Sequence, residues 1–380
     1  MHKPSVLVYR HQLFKASEPF IQAQASRLQK YRPLYVGRKT LGRAPEGSEV
    51  RTIAHASGWN RLANRLWCEP RPFLDSLRDD RPVLMHAHFG LDAVYGIHIA
   101  RKLGVPVAVT LHGFDVTVQR SAFALSGKPT EMRYAFSRDV VAEGASRLIC
   151  VSDFIKRRAI EYGYPEHLLE THYMGIDACS FEPSVWDSQP RRRILHVARL
   201  VEKKGTRYLI EAFASLRRRG ITDIELDIVG DGPLREKLKD LARSLQLGDS
   251  IRFRGTMSWP DVMKLMSTAY LFCLPSVTAK SGDSEGLGMV LLEASAHHVP
   301  CVATRHGGIP EAIRNDVNGL LVTERDADDL AERMAAVLTD TRLHARLATN
   351  ARRVVEEDFD IVRQTRKLES IYSAIRGVRQ

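Results

Sequence analysis

Short apolar runs alternate with amphipathic segments along the whole chain. The runs are rich in Val, Ile and Leu, which is typical of strands buried on both faces of a parallel sheet. In the first half, the strand-like runs are Val6–Tyr9, Pro33–Val36, Val83–Ala87, Val105–Leu111 and Arg147–Val151. In the second half, they are Arg193–Val197, Ile224–Val229, Ser250–Arg254, Tyr270–Leu274, Pro300–Ala303 and Leu320–Val322. This alternation predicts an α/β fold with ligand sites beyond the carboxyl ends of parallel strands.

The pattern divides the chain into two domains. It weakens at Ser180–Arg193, which contains two prolines and a cluster of arginines, and a new strand follows directly. We predict a Rossmann-like domain over residues 1–185 and a second one over residues 186–359. A last amphipathic segment, Ile361–Ile375, follows them.

The composition limits the classes of function. The 380 residues are 44% hydrophobic and 27% charged, as in a soluble globular enzyme. No apolar run reaches the roughly 18–20 residues that span a bilayer, and the N-terminal apolar stretch is too short for a signal-peptide core. We therefore expect a cytoplasmic protein. The net charge of +11 lies mainly in residues 1–180 and suits nucleic acid, an anionic membrane, a phosphorylated substrate or merely a solvated surface.

The densest candidate chemistry lies in residues 281–296, SGDSEGLGMVLLEASA. Glu285 precedes Gly286 and Gly288 at a predicted helix start, where unpaired backbone N–H groups bind anions and glycines let a ligand oxygen approach. Glu293 follows about two turns later, and its two carboxylate oxygens suit the two hydroxyls of a ribose. Two glutamates alone also fit a capped core helix, but the surrounding glycines favour a binding site.

Two cations follow the first strand of the second domain. Arg199 and Lys204 lie in the segment VARLVEKKG, between a strand and a helix. Fixed cations at this end of a parallel sheet would bind a diphosphate and neutralise a leaving group. Two solvated surface charges are the alternative interpretation.

Histidines follow two strands of the first domain. His112 and Asp115 lie in TLHGFDV, where Gly113 keeps the loop open, and His88 lies in MHAHFG. These strand-end positions favour a site, whereas His86 is predicted to face a helix. A structural role is the usual alternative for a lone histidine. No third ligand accompanies the two histidines of HAH, so we predict no metal site.

Together these segments resemble glycosyltransferase family 4. The resemblance rests on four features, namely the Glu285–Glu293 pair, the Arg199 and Lys204 loop, His112 with its glycine, and Gly175-Ile176-Asp177. It covers nearly the whole chain and implies a GT-B fold, in which two Rossmann-like domains face a central cleft and a helix within residues 360–380 crosses back to the first domain. The opening segment LFKASEPFIQAQ resembles the branch that builds bacterial exopolysaccharide of the colanic-acid type.

The resemblance implies retaining transfer of a hexose from a GDP- or UDP-linked sugar to a glycan acceptor carried on a polyprenyl diphosphate. The residues that match donor ligands are Arg199, Lys204, Gly230, Arg254, Gly286, Leu287, Gly288 and Glu293. Arg199 and Lys204 match ligands of the diphosphate, and Glu293 matches the ligand of the ribose. Gly230 and Arg254 lie near the nucleobase.

Two further positions match the reacting centre. His112 contacts the donor sugar there, and Glu285 holds the same sugar together with the backbone of the following glycines. Many family members carry a Gly-Gly loop after the first strand, but residues 10–20 contain no such pair. The candidates for acceptor or first-loop contacts are therefore Ser17, Glu18, His88 and Asp115.

No metal and no cofactor are expected. The Asp-x-Asp pattern that often holds Mg²⁺ or Mn²⁺ occurs at Asp326–Asp328 and Asp358–Asp360. Both lie beside predicted helix starts, where Asp is a common cap. Arg199 and Lys204 would supply the positive charge instead.

Alternatives to this function remain. Another GT-B enzyme, such as a sugar-nucleotide epimerase or a phosphorylase, would share the fold. The basic charge alone allows a nucleic-acid-binding protein, but no RNP-like aromatic run, zinc-finger spacing or long basic arm accompanies it, so no nucleic acid is expected. Trp59, Arg61, Arg65 and Trp67 form a candidate peripheral contact with the inner face of the membrane, and a solvated helix is the alternative.

Overall fold

The computed structural model describes residues 3–185 and 191–377. The chain forms two units, of which the first comprises Met1–Gly175 with Ile361–Gln380 and the second comprises Ile176–Asp360. The predicted linker, Ser180–Arg193, falls inside the second unit, and its residues 186–190 lie outside the described part. Within the described residues, no helix is both long enough and apolar enough to cross a bilayer.

The first unit is built on a seven-stranded parallel sheet with the strand order β5-β3-β1-β6-β7-β8-β9. A separate pair, β2 and β4, accompanies it. The strands are β1 (Ser5–Tyr9), β2 (Gln12–Leu13), β3 (Arg32–Gly37), β4 (Lys39–Thr40), β5 (Glu49–Thr52), β6 (Pro82–His88), β7 (Val107–Leu111), β8 (Arg147–Cys150) and β9 (Leu169–Thr171). All five residues of β1 and all five of β7 are buried, because helices cover both faces of such a sheet.

Ten helices of the first unit lie in the described residues. They are α1 (Pro19–Ala25), α2 (Gly58–Trp67), α3 (Arg71–Ser76), α4 (Gly90–Leu103), α5 (Phe114–Thr117), α6 (Arg120–Ala124), α7 (Pro129–Phe136), α8 (Arg138–Gly144), α9 (Asp153–Glu161) and α17 (Ile361–Gly377). Helix α17 packs Leu368, Tyr372 and Ile375 against Val6 and Leu84 of the sheet. The last helix therefore returns to the first unit, as the resemblance implies.

The second unit has a six-stranded parallel sheet with the order β12-β11-β10-β13-β14-β15. Its strands are β10 (Arg192–Val197), β11 (Ile224–Val229), β12 (Ile251–Gly255), β13 (Leu271–Leu274), β14 (Cys301–Thr304) and β15 (Gly319–Val322). Its helices are α10 (Thr206–Arg218), α11 (Arg235–Ser244), α12 (Trp259–Met266), α13 (Met289–Ala296), α14 (Ile309–Ala312), α15 (Ala327–Thr339) and α16 (Thr341–Asp358). Leu209 and Phe213 of α10 are fully buried in the core between helices and sheet. The predicted site segments follow β10, β11 and β13, and Arg254 lies near the end of β12, at the carboxyl edge of this sheet.

Candidate active site

Glu285 lies in the loop between β13 and α13. Its carboxylate Oε2 accepts hydrogen bonds from Lys204 Nζ at 2.5 Å and from Ser276 Oγ at 3.4 Å. Burial raises the pKa of Glu285, but the ammonium groups of Lys204 and Lys203 oppose it and lower the pKa to about 2. The carboxylate is therefore ionised at neutral pH. Glu285, predicted to bind the donor sugar, and Lys204, predicted to bind the diphosphate, thus form one ion pair.

A glycine brings the two loops of this ion pair together. Lys204 ends a single 3₁₀ turn after β10, and the next residue, Gly205, has a φ of +60°. A Cβ at Gly205 would lie 1.8 Å from the carbonyl oxygen of Pro275, the first residue after β13. Arg199, in contrast, is exposed and makes no side-chain hydrogen bond or ion pair with the residues that the structure describes.

The contact at Gly205 predicts a stability effect. Gly205→Ala should lower the free energy of unfolding by clearly more than Gly220→Ala. Gly220 also has a positive φ, +86°, but nothing lies within 4 Å of a Cβ there. Both variants carry a left-handed backbone penalty of about 1–2 kcal/mol, and only Gly205→Ala adds a clash with backbone. Urea unfolding measures both, and equal losses would contradict the close approach of the two loops.

His306 positions the backbone of Glu285 from the loop after β14. Its Nε2 accepts a hydrogen bond from the Glu285 N–H at 3.1 Å, so its Nδ1 carries the proton and donates to Glu324 Oε1 at 2.7 Å. A Cβ at Gly307 would lie 2.3 Å from the Glu285 carbonyl oxygen. His306 and Glu324 were not predicted from the sequence. The His-Gly-Gly that follows β14 could have indicated a site residue at His306.

Helix α13 begins beside Glu285. Gly288 is its N-cap residue, with a φ of +84°, and no side chain caps the first turn. The first N–H groups of the helix therefore lack side-chain acceptors and suit an anion. The Leu287 side chain is buried in the core, so this residue can offer a ligand only its backbone.

Glu293 lies on α13, and its Oε1 accepts a hydrogen bond from Trp259 Nε1 at 3.3 Å. Burial of the Glu293 carboxyl raises its pKa to about 7, and the Trp259 hydrogen bond offsets only part of that rise. The sequence analysis did not single out Trp259, which begins α12. Glu293 therefore changes its charge near neutral pH.

This titration predicts how nucleotide affinity depends on pH. Below its pKa, Glu293 is protonated, and above it both carboxylate oxygens could accept hydrogen bonds from the predicted ribose ligand. Affinity for UDP or GDP should therefore rise as the pH increases from about 6 to about 8. Glu293→Gln should bind more weakly, with a smaller pH dependence. Titration calorimetry measures both proteins, and equal pH slopes would contradict the ribose role.

The two residues predicted near the nucleobase have different surroundings. Gly230 has a φ of +122°, donates its N–H to the Gly255 carbonyl at 2.8 Å, and would place a Cβ 2.0 Å from the Ala198 carbonyl oxygen. It therefore joins the ends of three neighbouring strands. Arg254 donates through Nε and Nη2 to the buried carboxylate of Asp227 at 2.9 and 3.1 Å. Its guanidinium is held by β11, and its contact with a nucleobase stays a prediction.

In the first unit, Asp115 fixes the loop that carries His112. Its fully buried carboxylate accepts hydrogen bonds from the N–H groups of Gly90, His112 and Gly113 at 3.0, 3.1 and 2.9 Å. Burial raises the pKa of Asp115 to about 6, although these hydrogen bonds oppose the rise. Gly113 has a φ of +126°, which suits only glycine. The carboxylate thus positions His112, and its acceptor contact stays a prediction.

The structure also brings His88 and His112 together. His88 Nδ1 lies 3.2 Å from His112 Nε2, and the Phe89 ring stacks on His112 with centroids 4.3 Å apart. Burial lowers the pKa of His112 well below its usual range, and the Arg10 guanidinium lowers it further. The His112 ring is therefore neutral, and its Nδ1 is the atom left for a ligand. His86 Nδ1 lies 2.6 Å from the Tyr372 hydroxyl of α17, which confirms that it faces a helix.

The first loop pairs Glu18 with a residue that the sequence analysis did not single out. Arg10 Nε and Nη2 donate to the two carboxylate oxygens of Glu18 at 3.0 and 2.9 Å. The Arg10 guanidinium also lies 4.1 Å from the centre of the Phe89 ring, the same ring that stacks on His112. Ser17 has an exposed side chain and is not part of this cluster.

One Asp-x-Asp segment is a cap. Asp326 accepts hydrogen bonds from the N–H groups of Asp328 and Asp329 at 3.1 and 2.9 Å, so it caps α15 as predicted. In the other segment, Asp358 ends α16 and pairs with Arg314 at 2.6 Å, whereas Asp360 directly precedes α17, so the segment does lie beside a helix start and its role as a cap stays a prediction. Across residues 3–185 and 191–377, no group of three or more His, Cys, Asp or Glu could hold a metal ion.

Family models and relatives match both halves of the chain. The model described as Glycosyltransferase Family 4 matches residues 22–178, and the model described as Glycosyl transferases group 1 matches residues 182–354. The putative colanic acid biosynthesis glycosyltransferase WcaL of Escherichia coli K12 is 35% identical over 76% of this chain and 70% of its own length. The amylovoran biosynthesis glycosyltransferase AmsK of Erwinia amylovora is 37% identical over 48% of this chain and 45% of its own.

Solved structures share the fold over almost the whole length. HepE of Anabaena, in complex with UDP-glucose, has a TM-score of 0.77 at 21% identity and covers 97% of this chain and 99% of its own. Sucrose-phosphate synthase of Thermosynechococcus elongatus has a TM-score of 0.80 at 18% identity and covers 99% and 100%. These likenesses confirm the predicted GT-B fold. The family models and the relatives show that the chain belongs to glycosyltransferase family 4.

Proposed function

We propose that this glycosyltransferase moves a hexose from a GDP- or UDP-linked sugar to a glycan acceptor, with retention of the anomeric configuration. The observation that carries the proposal is the ionised Glu285 held by Lys204 beside the uncapped first turn of α13. A donor sugar needs acceptors for its hydroxyls, and its diphosphate needs hydrogen-bond donors and positive charge. This cluster offers both. The UDP-glucose complex of HepE supports a nucleotide-linked donor.

The chemistry follows from where charge develops. Departure of the nucleotide diphosphate places negative charge on its β-phosphate, and Arg199, Lys204 and the first turn of α13 would stabilise it at roughly 3–4 kcal/mol per donor. Lys204 has three N–H donors, so it can keep Glu285 while it contacts phosphate. The acceptor hydroxyl attacks from the face of the leaving group, and the departing phosphate takes its proton. Neutral His112 contacts the donor sugar through Nδ1.

The acceptor that we propose is a growing exopolysaccharide on a polyprenyl diphosphate carrier. The relatives WcaL and AmsK are named for biosynthesis of colanic acid and amylovoran, and both names support a polysaccharide product. Radiolabelled donor and isolated lipid-linked glycans, separated by solvent extraction, test this directly. Label that stays out of the lipid phase would contradict the carrier.

The proposed reaction proceeds without a divalent metal ion, because the cations Arg199 and Lys204 take the charge of the diphosphate. EDTA should therefore leave the initial rate unchanged within about twofold, since no charge stabilisation is removed. The rate of nucleotide release from the donor measures this. A loss of activity that Mg²⁺ or Mn²⁺ restores would contradict the proposal.

The donor site is tested first by a thermal-shift screen against GDP, UDP, ADP and their sugar conjugates, without metal. A ligand at about 100 times its Kd stabilises a protein by about 2.7 kcal/mol, so one nucleotide class should raise the melting temperature clearly. Lys204→Ala should reduce that shift, whereas Lys239→Ala should preserve it, because Lys239 is a partly exposed lysine paired with Glu236 on α11. No shift with any nucleotide, or equal shifts in both variants, would contradict the proposed donor site.

A further inference from the structure

Helix α2 of the first unit buries a polar residue. Asn64 is fully buried, donates to the Glu69 carbonyl oxygen at 2.9 Å, and accepts from Arg38 Nε at 2.9 Å. It is the one buried residue of the helix, whose ends and both flanks are exposed. An ordinary surface helix buries an apolar stripe, so the packing of α2 is the reverse of the usual arrangement.

The apolar residues of α2 face away from the core. Trp59, Leu62 and Leu66 stand at positions i, i+3 and i+7, which places them on one face, and all three are exposed. Trp67 lies beside them, with its ring centroid 6.0 Å from that of Trp59. The exposed fractions of Trp59 and Trp67 are 67% and 61%. Exposure of two large apolar rings to water is unfavourable in free energy.

Helix α7 continues this apolar surface. Arg133 donates to the Leu66 carbonyl oxygen, which joins α7 to the end of α2. Met132 and Phe136, one turn apart on α7, are both exposed, Phe136 to 67%. The Arg120 guanidinium of α6 lies 5.8 Å from the centre of the Phe136 ring. We call this surface the Trp59 face. Its members are Trp59, Leu62, Leu66, Trp67, Met132 and Phe136, with Arg61, Arg65, Arg120 and Arg133 among them.

The charge of the Trp59 face has one dominant sign. Helix α2 contains two arginines and no Asp or Glu. None of the four arginines of the face forms an ion pair with a carboxylate among the described residues. The acidic residue nearest in sequence on α7, Glu131, is already paired with Lys128 at 2.8 Å. The face therefore combines exposed tryptophans with positive charge that no internal partner balances.

We propose that the Trp59 face binds an anionic lipid bilayer, with α2 lying in the plane of the headgroups. Tryptophan suits this layer because its ring is apolar and its N–H can still meet water, and arginine suits it because the headgroups carry negative charge. A helix with apolar residues on one side and only basic charges is typical of interfacial binding. A protein partner would more often meet a mixture of charges. This inference is independent of the proposed donor chemistry, whose residues lie in the second unit.

Co-sedimentation with vesicles tests the proposal on the full chain. Wild type should pellet with vesicles of equal phosphatidylcholine and phosphatidylglycerol, and much less with phosphatidylcholine alone. Arg61→Glu with Arg65→Glu should weaken the partition coefficient at least about 30-fold, since each basic residue near an anionic surface contributes about fivefold. Trp59→Ser with Trp67→Ser should weaken it at least about 10-fold. Salt at about 0.5 M should weaken binding of wild type.

Matched controls make the outcome decisive. Arg218→Glu with Arg219→Glu changes the net charge by the same amount at exposed positions of the second unit, and it should leave partitioning within about threefold. Unchanged UDP or GDP thermal shifts would show that each variant is folded. The proposal is overturned if wild type stays in the supernatant with anionic vesicles, or if both arginine pairs act equally. It is also overturned if sedimentation velocity shows a dimer that only the Trp59 and Trp67 changes dissociate.

Discussion

Glu285→Gln is expected to lower the turnover number by at least about 100-fold. The carboxylate is ionised at every practical pH because its pKa is about 2. An amide offers one acceptor oxygen instead of two and leaves Lys204 without its anionic partner, so both the orientation of the sugar and the position of the cation change. Steady-state rates with saturating donor, followed by nucleotide release, measure this.

The same loop supplies a matched control for Glu285. Asp283 pairs with Lys203 at 2.9 Å, so this pair lies one residue before Lys204 in one loop and two residues before Glu285 in the other. Asp283→Asn removes the same charge from the same segment and should change turnover by less than about fivefold, which is the range for a partly exposed ion pair. Comparable losses in both variants would mean that the loop needs negative charge in general, and the assigned role of Glu285 would fail.

His112→Ala is expected to lower the turnover number by at least about 100-fold as well. The Asp115 carboxylate holds the backbone of His112, and the Phe89 ring and His88 contact its neutral ring and orient it. Alanine removes the imidazole ring, and with it the Nδ1 atom proposed to contact the donor sugar. Nucleotide affinity should change little, because the proposed nucleotide ligands belong to the second unit. Turnover and nucleotide Kd, measured in parallel, separate the two effects.

His88 provides a graded test of the same centre. His88→Ala removes the partner of His112 Nε2 and should cost roughly one hydrogen bond, or about tenfold in turnover. His88→Asn places a polar atom near the same position and should recover most of that loss. His98 lies at a partly exposed position of α4, and His98→Ala should behave as wild type. Equal turnover for wild type and His88→Ala would contradict the positioning role, and wild-type turnover in His112→Ala would remove His112 from the mechanism.

Most of the sheet could be predicted from local pattern. Ile224–Val229 begins and ends where the sequence analysis placed it, and each of the other ten apolar runs overlaps a strand. The strands that were missed, β2, β4, β5 and β9, are short or polar, such as Glu49–Thr52 with the sequence EVRT. Edge strands of this kind pair through backbone atoms, so their side chains carry little periodic signal.

The partners of the predicted site residues were harder to predict. His306 and Trp259 contact predicted residues that lie 21 and 34 positions away along the chain. Arg10 pairs with Glu18, and Glu324 accepts a hydrogen bond from His306. Their residue types are common, and apart from the His-Gly-Gly that begins at His306, nothing in their local sequence marks them. Only the return of several strand ends to one edge of a sheet places them there.

The sequence by itself determined the strands, the helical segments and the positions that belong to glycosyltransferase family 4, because side-chain periodicity and the glycine-rich loops are local properties. The tertiary structure alone decided which of these residues meet. It paired Lys204 with Glu285 because β10 lies next to β13 in the sheet, and it enclosed Asp115 under the His112 loop. It also decided which side of α2 faces out, since burial of Asn64 against Arg38 left the tryptophans exposed. Contacts between distant segments depend on strand order and packing, and neither can be predicted from the local sequence of a single segment.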